Sequence, residues 1–149
     1  MLLSQKCQYG LRAVFELAKR FDQGLVKIAD LAKAQAIPPR FLEAILNQLK
    51  QGGFIESQRG KHGGYYLARS PHTLTVGMII RFIQGPIGPV ECMADEPRFQ
   101  CSLRGSCVFR PVWEKVRDAM SAIYDSVTFQ SLVDQERRAE EKYVPCYSI

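Results

Sequence analysis

The stretch that decides the fold is Pro38 to Leu67, PPRFLEAILNQLKQGGFIESQRGKHGGYYL. Its two prolines suit the opening turn of a helix, and apolar residues then recur at helical spacing as far as Gln51. We expect the inward side of this helix to hold Phe41, Leu42, Ile45, Leu46 and Leu49. We expect its outer, polar side to hold Arg40, Glu43, Ala44, Asn47 and Lys50.

The second half of the stretch predicts a β-hairpin with a cationic tip. Gly52-Gly53 ends the helix, and the β-prone residues 54–58 and 65–67 flank the turn Arg59-Gly60-Lys61-His62-Gly63-Gly64. Glycines let the backbone approach a phosphate or enter a groove, and the two cations supply the attraction. A helix followed by such a hairpin indicates a winged DNA-binding domain.

The residues before this stretch supply the rest of a helix-turn-helix. One amphipathic helix is predicted from about Ser4, its cap, to Phe21, and a shorter one from Lys27 to Ala34. A fourth helix, from Thr75 to Ile83, is predicted after the hairpin, with Thr73 or Thr75 as its cap. The short helix, the turn at residues 37–39 and the long helix together match a helix-turn-helix.

The charge distribution agrees with a nucleic-acid partner for the first part of the chain. Residues 1–85 carry twelve Lys and Arg against five Asp and Glu, whereas residues 86–149 carry eight against ten. A positive face of this kind attracts nucleic acid. No apolar run is long enough to span a membrane, and residues 1–10 lack the layout of a signal peptide, so we expect a cytoplasmic protein with no membrane partner.

Three of the five cysteines, Cys92, Cys101 and Cys107, follow a C-x8-C-x5-C pattern in a polar segment. Reducing conditions in the cytosol argue against a disulfide scaffold, which leaves metal or redox chemistry. Thiolates are soft ligands that favour an iron–sulfur cluster, zinc or copper(I), and a thiol pair could instead act as a cluster-free redox switch. Cys107 also precedes a predicted helix, whose positive end favours a thiolate.

The last third of the chain predicts one long helix with an apolar stripe. From Pro111 onward the stripe residues alternate at steps of three and four: Val112, Trp113, Val116, Ala119, Met120, Ile123 and Val127. Such a stripe needs a partner, either the same helix of a second copy in a symmetric dimer or the chain's own domain. Residues 128–133 predict a short helix, and the charged residues 136–142 predict a solvated or frayed tail.

Enzyme activity is not expected. The sequence shows no acid–base pair, nucleophile triad or phosphate-binding glycine loop, so no small-molecule substrate is predicted. A ferredoxin-like electron carrier is the remaining alternative outside DNA binding, but such carriers normally supply four cysteines and have no use for a basic hairpin. The expected organisation is a DNA-binding domain at 1–85, a cysteine loop at 86–110, a dimerisation region at 111–135 and a tail at 136–149.

Three motifs resemble the Rrf2 family of winged-helix transcriptional regulators: Gln8-Tyr9-Gly10, the helix start at 39–43, and Arg59-Gly60-x-x-Gly63-Gly64-Tyr65-x-Leu67. The resemblance covers residues 1–135. It implies a mainly α homodimer with a small β wing, long dimerisation helices, and a wing arginine, here Arg59, in the minor groove of double-stranded promoter DNA. The predicted DNA-contacting residues are Lys6, Pro39, Arg40, Glu43, Ala44, Lys50, Arg59, Gly60 and Lys61.

The resemblance also implies an iron–sulfur cluster, [2Fe-2S] or [4Fe-4S], held by Cys92, Cys101 and Cys107. Two features depart from the family pattern: the first cysteine gap is longer, and Arg110 and Gln8 stand where two branches of the family place the fourth ligand. A small thiol or an open position are alternatives to a protein ligand. The candidate protein ligands are Glu91, Asp95, Glu96, and the partner subunit's Gln8 or Cys7.

Overall fold

The fold is mainly helical with one two-stranded antiparallel sheet, as the sequence predicts. A computed structural model of the chain describes residues 2–93 and 101–142. The first three helices and the wing strands are α1 (Gln5–Lys19), α2 (Ile28–Gln35), α3 (Pro39–Gln51), β1 (Ile55–Gln58) and β2 (Gly64–Leu67). They are followed by α4 (Val76–Gln84), a short 3-10 turn (Glu91–Met93), α5 (Arg110–Ser126) and α6 (Phe129–Lys142).

Helix α1 lies at the centre of the core. Its N-terminus is capped as predicted, since the Ser4 hydroxyl accepts a hydrogen bond from the backbone N–H of Cys7 at 3.2 Å. The helix packs against α2, α3, α4 and α6. The fully buried side chains Val14, Leu17, Leu42 and Leu46 belong to one hydrophobic cluster that α1 and α3 share.

The turn between α2 and α3 gives the helix-turn-helix its shape. Helix α2 ends at Ala36, which adopts the left-handed conformation with φ 48°. Ile37 is buried and donates its backbone N–H to Ala32, which closes the turn. Pro38 and Pro39 then begin α3. A proline is tolerated there because the first backbone N–H groups of a helix have no partner within the helix.

The wing is fixed to the core by a third extended segment. Strands β1 and β2 pair from Ile55 opposite Leu67 to Gln58 opposite Gly64. Val26 exchanges both backbone hydrogen bonds with Tyr65, each at 2.9 Å. A Cβ at Gly64 would lie 2.7 Å from the carbonyl oxygen of Val26, so this close approach requires glycine.

Helix α5 and the turn that follows it contact α4 along its length. Thr75 caps α4 by accepting from Met78, and the Val76 N–H donates to Val127 at 2.9 Å. Arg81 makes a two-pronged ion pair with Asp125, with N–O distances of 2.6 and 3.0 Å. A second, smaller hydrophobic cluster contains Cys7, Ile80 and Ile87. Met120 and Tyr124 of α5 pack against it.

Two sequence expectations are wrong in detail. Phe41 is 48% exposed, although the helical pattern placed it among the inward residues, because it lies on the flank of α3 and not on the side facing the core. Residues 137–142 are exposed, which agrees with the solvated alternative for the tail, but residues 136–142 are not frayed, since α6 continues to Lys142. The reason is that Phe129 and Val133 are buried against α1, while Glu136 pairs with Lys19 at 2.8 Å.

Within residues 2–93 and 101–142, none of the helices is both long and apolar enough to cross a membrane.

Candidate nucleic-acid interface and cysteine cavity

The outer face of α3 presents the side chains that the sequence assigned to base reading. Arg40, Glu43 and Ala44 are all exposed, and they lie in the first two turns of the helix. Pro39 is exposed at the N-terminus of the same helix. A helix in this position can enter a major groove, where its first turns reach the base edges.

The wing tip presents its cations to solvent as predicted. Arg59, Gly60 and Lys61 are exposed, and Gly60 adopts φ 116°, a conformation that side-chain-bearing residues rarely take. The Gly63 N–H donates to the Gly60 carbonyl at 3.0 Å and closes the turn. His62 is also exposed here, so the whole tip is open to a nucleic-acid partner.

Two lysines flank the reading helix. Lys6 is exposed near the start of α1, where it borders a shallow cavity of about 260 Å³ between α1 and α3. Lys50 is exposed at the end of α3 and donates to the Ser57 hydroxyl at 2.6 Å. This bond ties the end of the reading helix to β1 of the wing.

The three loop cysteines line a single small cavity of about 50 Å³. Cys92, Cys101 and Cys107 are each partly exposed, and none of the three is in a disulfide. The other residues that line this cavity are Met93, Arg104, Arg110 and Trp113. The sequence did not assign Met93, Arg104 or Trp113 to the cysteine site. The loop therefore brings its three thiols to one place beside the first turns of α5.

Sharing a cavity does not by itself complete a metal centre. Among the described residues, no three His, Cys, Asp or Glu side chains are arranged closely enough to hold a metal ion. The thiols nevertheless fit a soft metal in their chemistry, and two guanidinium groups beside them would offset the negative charge of thiolates. Cluster binding at this site would require the loop to draw the sulfurs closer together.

The candidates for a fourth ligand differ in accessibility. Arg110, which stands at one family position for this ligand, is not itself a candidate, because a protonated guanidinium only donates hydrogen bonds; it donates to Glu114 at 2.7 Å and to the Arg104 carbonyl at 3.2 Å. Cys7 has no exposed surface, and burial raises the pKa of its thiol. Gln8 and Glu91 are exposed. Asp95 and Glu96 lie outside the described residues.

The geometry of reading helix, basic wing and cysteine cavity defines a winged-helix DNA-binding transcriptional regulator. A family model described as Rrf2, iron-dependent transcriptional regulator, matches residues 3–135. The chain therefore belongs to the Rrf2 family, whose members are transcriptional regulators and not enzymes.

Individual relatives cover almost the whole chain. The transcriptional regulator CymR of Bacillus subtilis is 33% identical over 97% of this chain and 98% of its own length. The solved structure of that protein, described as the global cysteine regulator, has a TM-score of 0.77 and covers 91% of this chain and 98% of its own. The structure of T. potens IscR has a TM-score of 0.73 at 32% identity and covers 97% and 92% of the two chains.

An oxidized form of Staphylococcus aureus CymR is also similar, with a TM-score of 0.71 at 27% identity. It covers 89% of this chain and 96% of its own length.

Proposed function

We propose that this protein is a dimeric regulator whose promoter binding is controlled by an iron–sulfur cluster, [2Fe-2S] or [4Fe-4S], held by Cys92, Cys101 and Cys107. The observation that carries the proposal is the single cavity that the three thiols share beside α5. The family description as iron-dependent supports the same chemistry. When bound, the cluster would supply sensitivity to iron–sulfur status, oxygen or nitric oxide.

The protein acts in the cytoplasm, where α3 reads bases in the major groove of promoter DNA. The Arg40 guanidinium donates to a guanine edge, and the Glu43 carboxylate accepts from a cytosine amino group. Arg59 enters the minor groove at the wing. Lys6, Lys50 and Lys61 contact phosphates, which position the protein without distinguishing sequences. The exposure of all these side chains on one half of the chain supports this assignment.

The proposed link between the cavity and the dimer runs through α5. Trp113 of α5 forms part of its wall, and the apolar residues Val116 and Ile123 are exposed further along the same helix. A second copy of α5 covers these residues in the proposed dimer. A change in the loop then alters how two α5 helices meet, and hence the spacing of two reading helices. A coupling of about 1–3 kcal/mol would change DNA affinity by roughly 5–150-fold.

A second candidate is a cluster-free regulator of cysteine metabolism. It is favoured by the small cavity, by the spacing of the described His, Cys, Asp and Glu side chains, no three of which lie close enough for one metal ion, and by the cysteine regulator among the relatives. In this version two loop thiols lose two protons and two electrons to an oxidant and form a disulfide. Alternatives within it are a structural zinc on the loop or control by a protein partner. An electron carrier is less consistent with the exposed basic wing.

Anaerobic purification separates these candidates. We expect a coloured protein with matched iron and acid-labile sulfide, whose footprint on promoter DNA changes after exposure to air or nitric oxide. Cys101→Ala should remove the colour and the response while the protein stays folded, because it removes one ligand. Ser102→Ala is the matched control, since Ser102 is an exposed neighbour on the same loop and should leave both unchanged.

A coloured and responsive Cys101→Ala protein would reject the ligand assignment. Zinc without sulfide, or a colourless protein whose binding changes with thiol oxidation, would favour the second candidate. The DNA half is tested separately by Arg59→Ala, which should weaken binding by roughly 5–150-fold whatever the state of the loop, about 1–3 kcal/mol. Unchanged binding by this variant would remove the minor-groove role.

A further inference from the structure

Phe41 is a large apolar side chain that the fold leaves on the surface of the reading helix. It is 48% exposed, whereas its neighbours Leu42 and Ile45 are buried. Single exposed apolar residues are common and need no explanation of their own. Phe41 differs from them because a charged group lies against its ring.

The Arg40 guanidinium lies over the Phe41 ring, with 4.9 Å between the guanidinium carbon and the ring centroid. Side chains at adjacent positions of a helix point in directions about 100° apart and do not normally face each other. The arginine therefore folds sideways, towards the flank that carries the ring. A planar guanidinium gains from this position through both charge and stacking.

The ring also lies where the reading helix meets α1. Phe41 and Ala44 form one side of the shallow cavity of about 260 Å³, and Lys6 and Tyr9 of α1 form the other. Phe41 thus stands between Arg40, assigned to base reading, and Lys6, assigned to phosphate contact. An aromatic ring at this position can hold the base-reading cation in one orientation relative to the strand that Lys6 contacts.

We propose that Phe41 is a positioning residue that holds the Arg40 guanidinium ready for a two-pronged hydrogen bond to guanine. The proposal rests on the proposed function and deepens it, because it explains how one base contact is made specific. A guanidinium already held in its binding orientation loses less conformational freedom when it meets the base. Without the ring, Arg40 must be ordered from many rotamers as the DNA binds.

The test compares substitutions that keep or remove the ring. Phe41→Leu removes the ring and keeps an apolar side chain, while Phe41→Tyr and Phe41→Trp keep an aromatic face. The probe is a duplex selected by the wild-type protein from a random-sequence pool, and an unrelated duplex of equal length reports non-specific binding. Thermal unfolding verifies that each variant is folded. We expect similar melting temperatures, because the Phe41 ring is not part of the buried core.

We expect Phe41→Leu to weaken binding to the selected duplex by roughly five- to twentyfold, because the arginine of each half-site must then be ordered as the DNA binds. The affinity of Phe41→Leu for the unrelated duplex should stay within about twofold of the wild-type value. Phe41→Tyr and Phe41→Trp should bind the selected duplex within about twofold of the wild-type affinity, because they keep an aromatic face. In an Arg40→Ala background, Phe41→Leu should have no further effect, because the group it positions is gone.

Wild-type affinity of Phe41→Leu, an equal loss on both duplexes, or an undiminished effect in the Arg40→Ala background would overturn the positioning role. The Arg40→Ala variant alone distinguishes this failure from that of the proposed function. If Arg40→Ala loses selectivity while Phe41→Leu does not, only the positioning role fails. If Arg40→Ala binds like the wild type, base reading by Arg40 fails and the positioning role fails with it.

Discussion

Helices α1 and α5 are both amphipathic, yet they differ in how much of their apolar side the chain itself covers. Helix α1 has 15 residues, of which seven are buried, including Val14 and Leu17. Helix α5 has 17 residues and none is buried. The apolar side of α1 is covered within one chain, whereas that of α5 leaves Val112, Val116 and Ile123 between 37% and 62% exposed.

This difference separates a region whose apolar side chains are covered within the chain from a region, around α5, whose apolar side chains stay exposed. The DNA-reading half has its own core, so it can present Arg40 and Arg59 on a fixed scaffold. Helix α5, which forms part of the wall of the cysteine cavity, is attached through a small cluster around Ile80, an ion pair between Arg81 and Asp125 and the backbone hydrogen bond from Val76 to Val127. Helix α6 belongs to the main core, where Phe129 and Val133 are buried. A region with little buried contact is the one whose arrangement a small chemical change can shift.

The largest expected effect comes from placing a charge on the open side of α5. Ile123→Glu should barely change the stability of a single chain, since Ile123 is 62% exposed there. In a symmetric dimer it would bury two unpaired carboxylates at the interface, at several kcal/mol in total. We therefore expect a monomer at micromolar concentration in sedimentation velocity, with promoter binding lost in parallel.

The control is Lys115→Glu, which places a carboxylate on an exposed residue of α5 outside its apolar stripe and changes the net charge by more than Ile123→Glu does. That variant should remain a dimer. If Ile123→Glu were dimeric and Lys115→Glu monomeric, the proposed interface would lie on the wrong side of the helix.

The second effect compares buried and exposed truncations in the same chain. Leu17→Ala removes a side chain that is 1% exposed and should lower the free energy of unfolding by about 2–5 kcal/mol. Val112→Ala, at 51% exposure, should change it by less than about 0.5 kcal/mol. Urea unfolding in the monomeric Ile123→Glu background measures both without a contribution from dimerisation. Similar losses for the two variants would mean that α5 is packed within its own chain.

Much of the reading half could be predicted from the sequence because its signals are local. The Ser4 and Thr75 caps, the prolines before α3 and the glycines of the wing each act within a few residues. The position of Phe41 could not be predicted in the same way. Its place in the helical pattern borders the inward side, and only the path of α1 decides that the flank stays open.

The remaining differences also depend on contacts between distant parts of the chain. The charged residues after Val133 extend α6 because that helix lies against α1, which no property of residues 136–142 indicates. The C-x8-C-x5-C spacing predicts that three thiols can meet, and they do line one cavity. It does not fix the distances between the sulfurs, because those depend on the path that the chain takes between the cysteines.

The smallest effect concerns the ion pair between α1 and α6, in which Lys19 lies 2.8 Å from Glu136. The hydrogen bond to Glu136 is the main cause that raises the pKa of Lys19 above its usual 10.5. A raised pKa stabilises the folded state fully below the unfolded value and loses that contribution as the pH rises through the folded value. Glu136→Gln should therefore cost about 0.5 kcal/mol or less at pH 7, since both side chains are about one-third exposed.

Above pH 10.5 the difference between wild type and Glu136→Gln should shrink, because Lys19 becomes neutral in both proteins. Urea unfolding under reducing conditions at neutral pH and at successive values above 10.5 would measure this convergence. Glu140→Gln is the control on the same helix, since Glu140 acts on Lys19 only as a weaker, more distant charge. A pH-independent difference for Glu136→Gln would mean that Glu136 stabilises α6 through packing and not through the charge of Lys19. The contribution of this pair to the free energy of unfolding would then come from packing between α1 and α6, and it would not depend on pH.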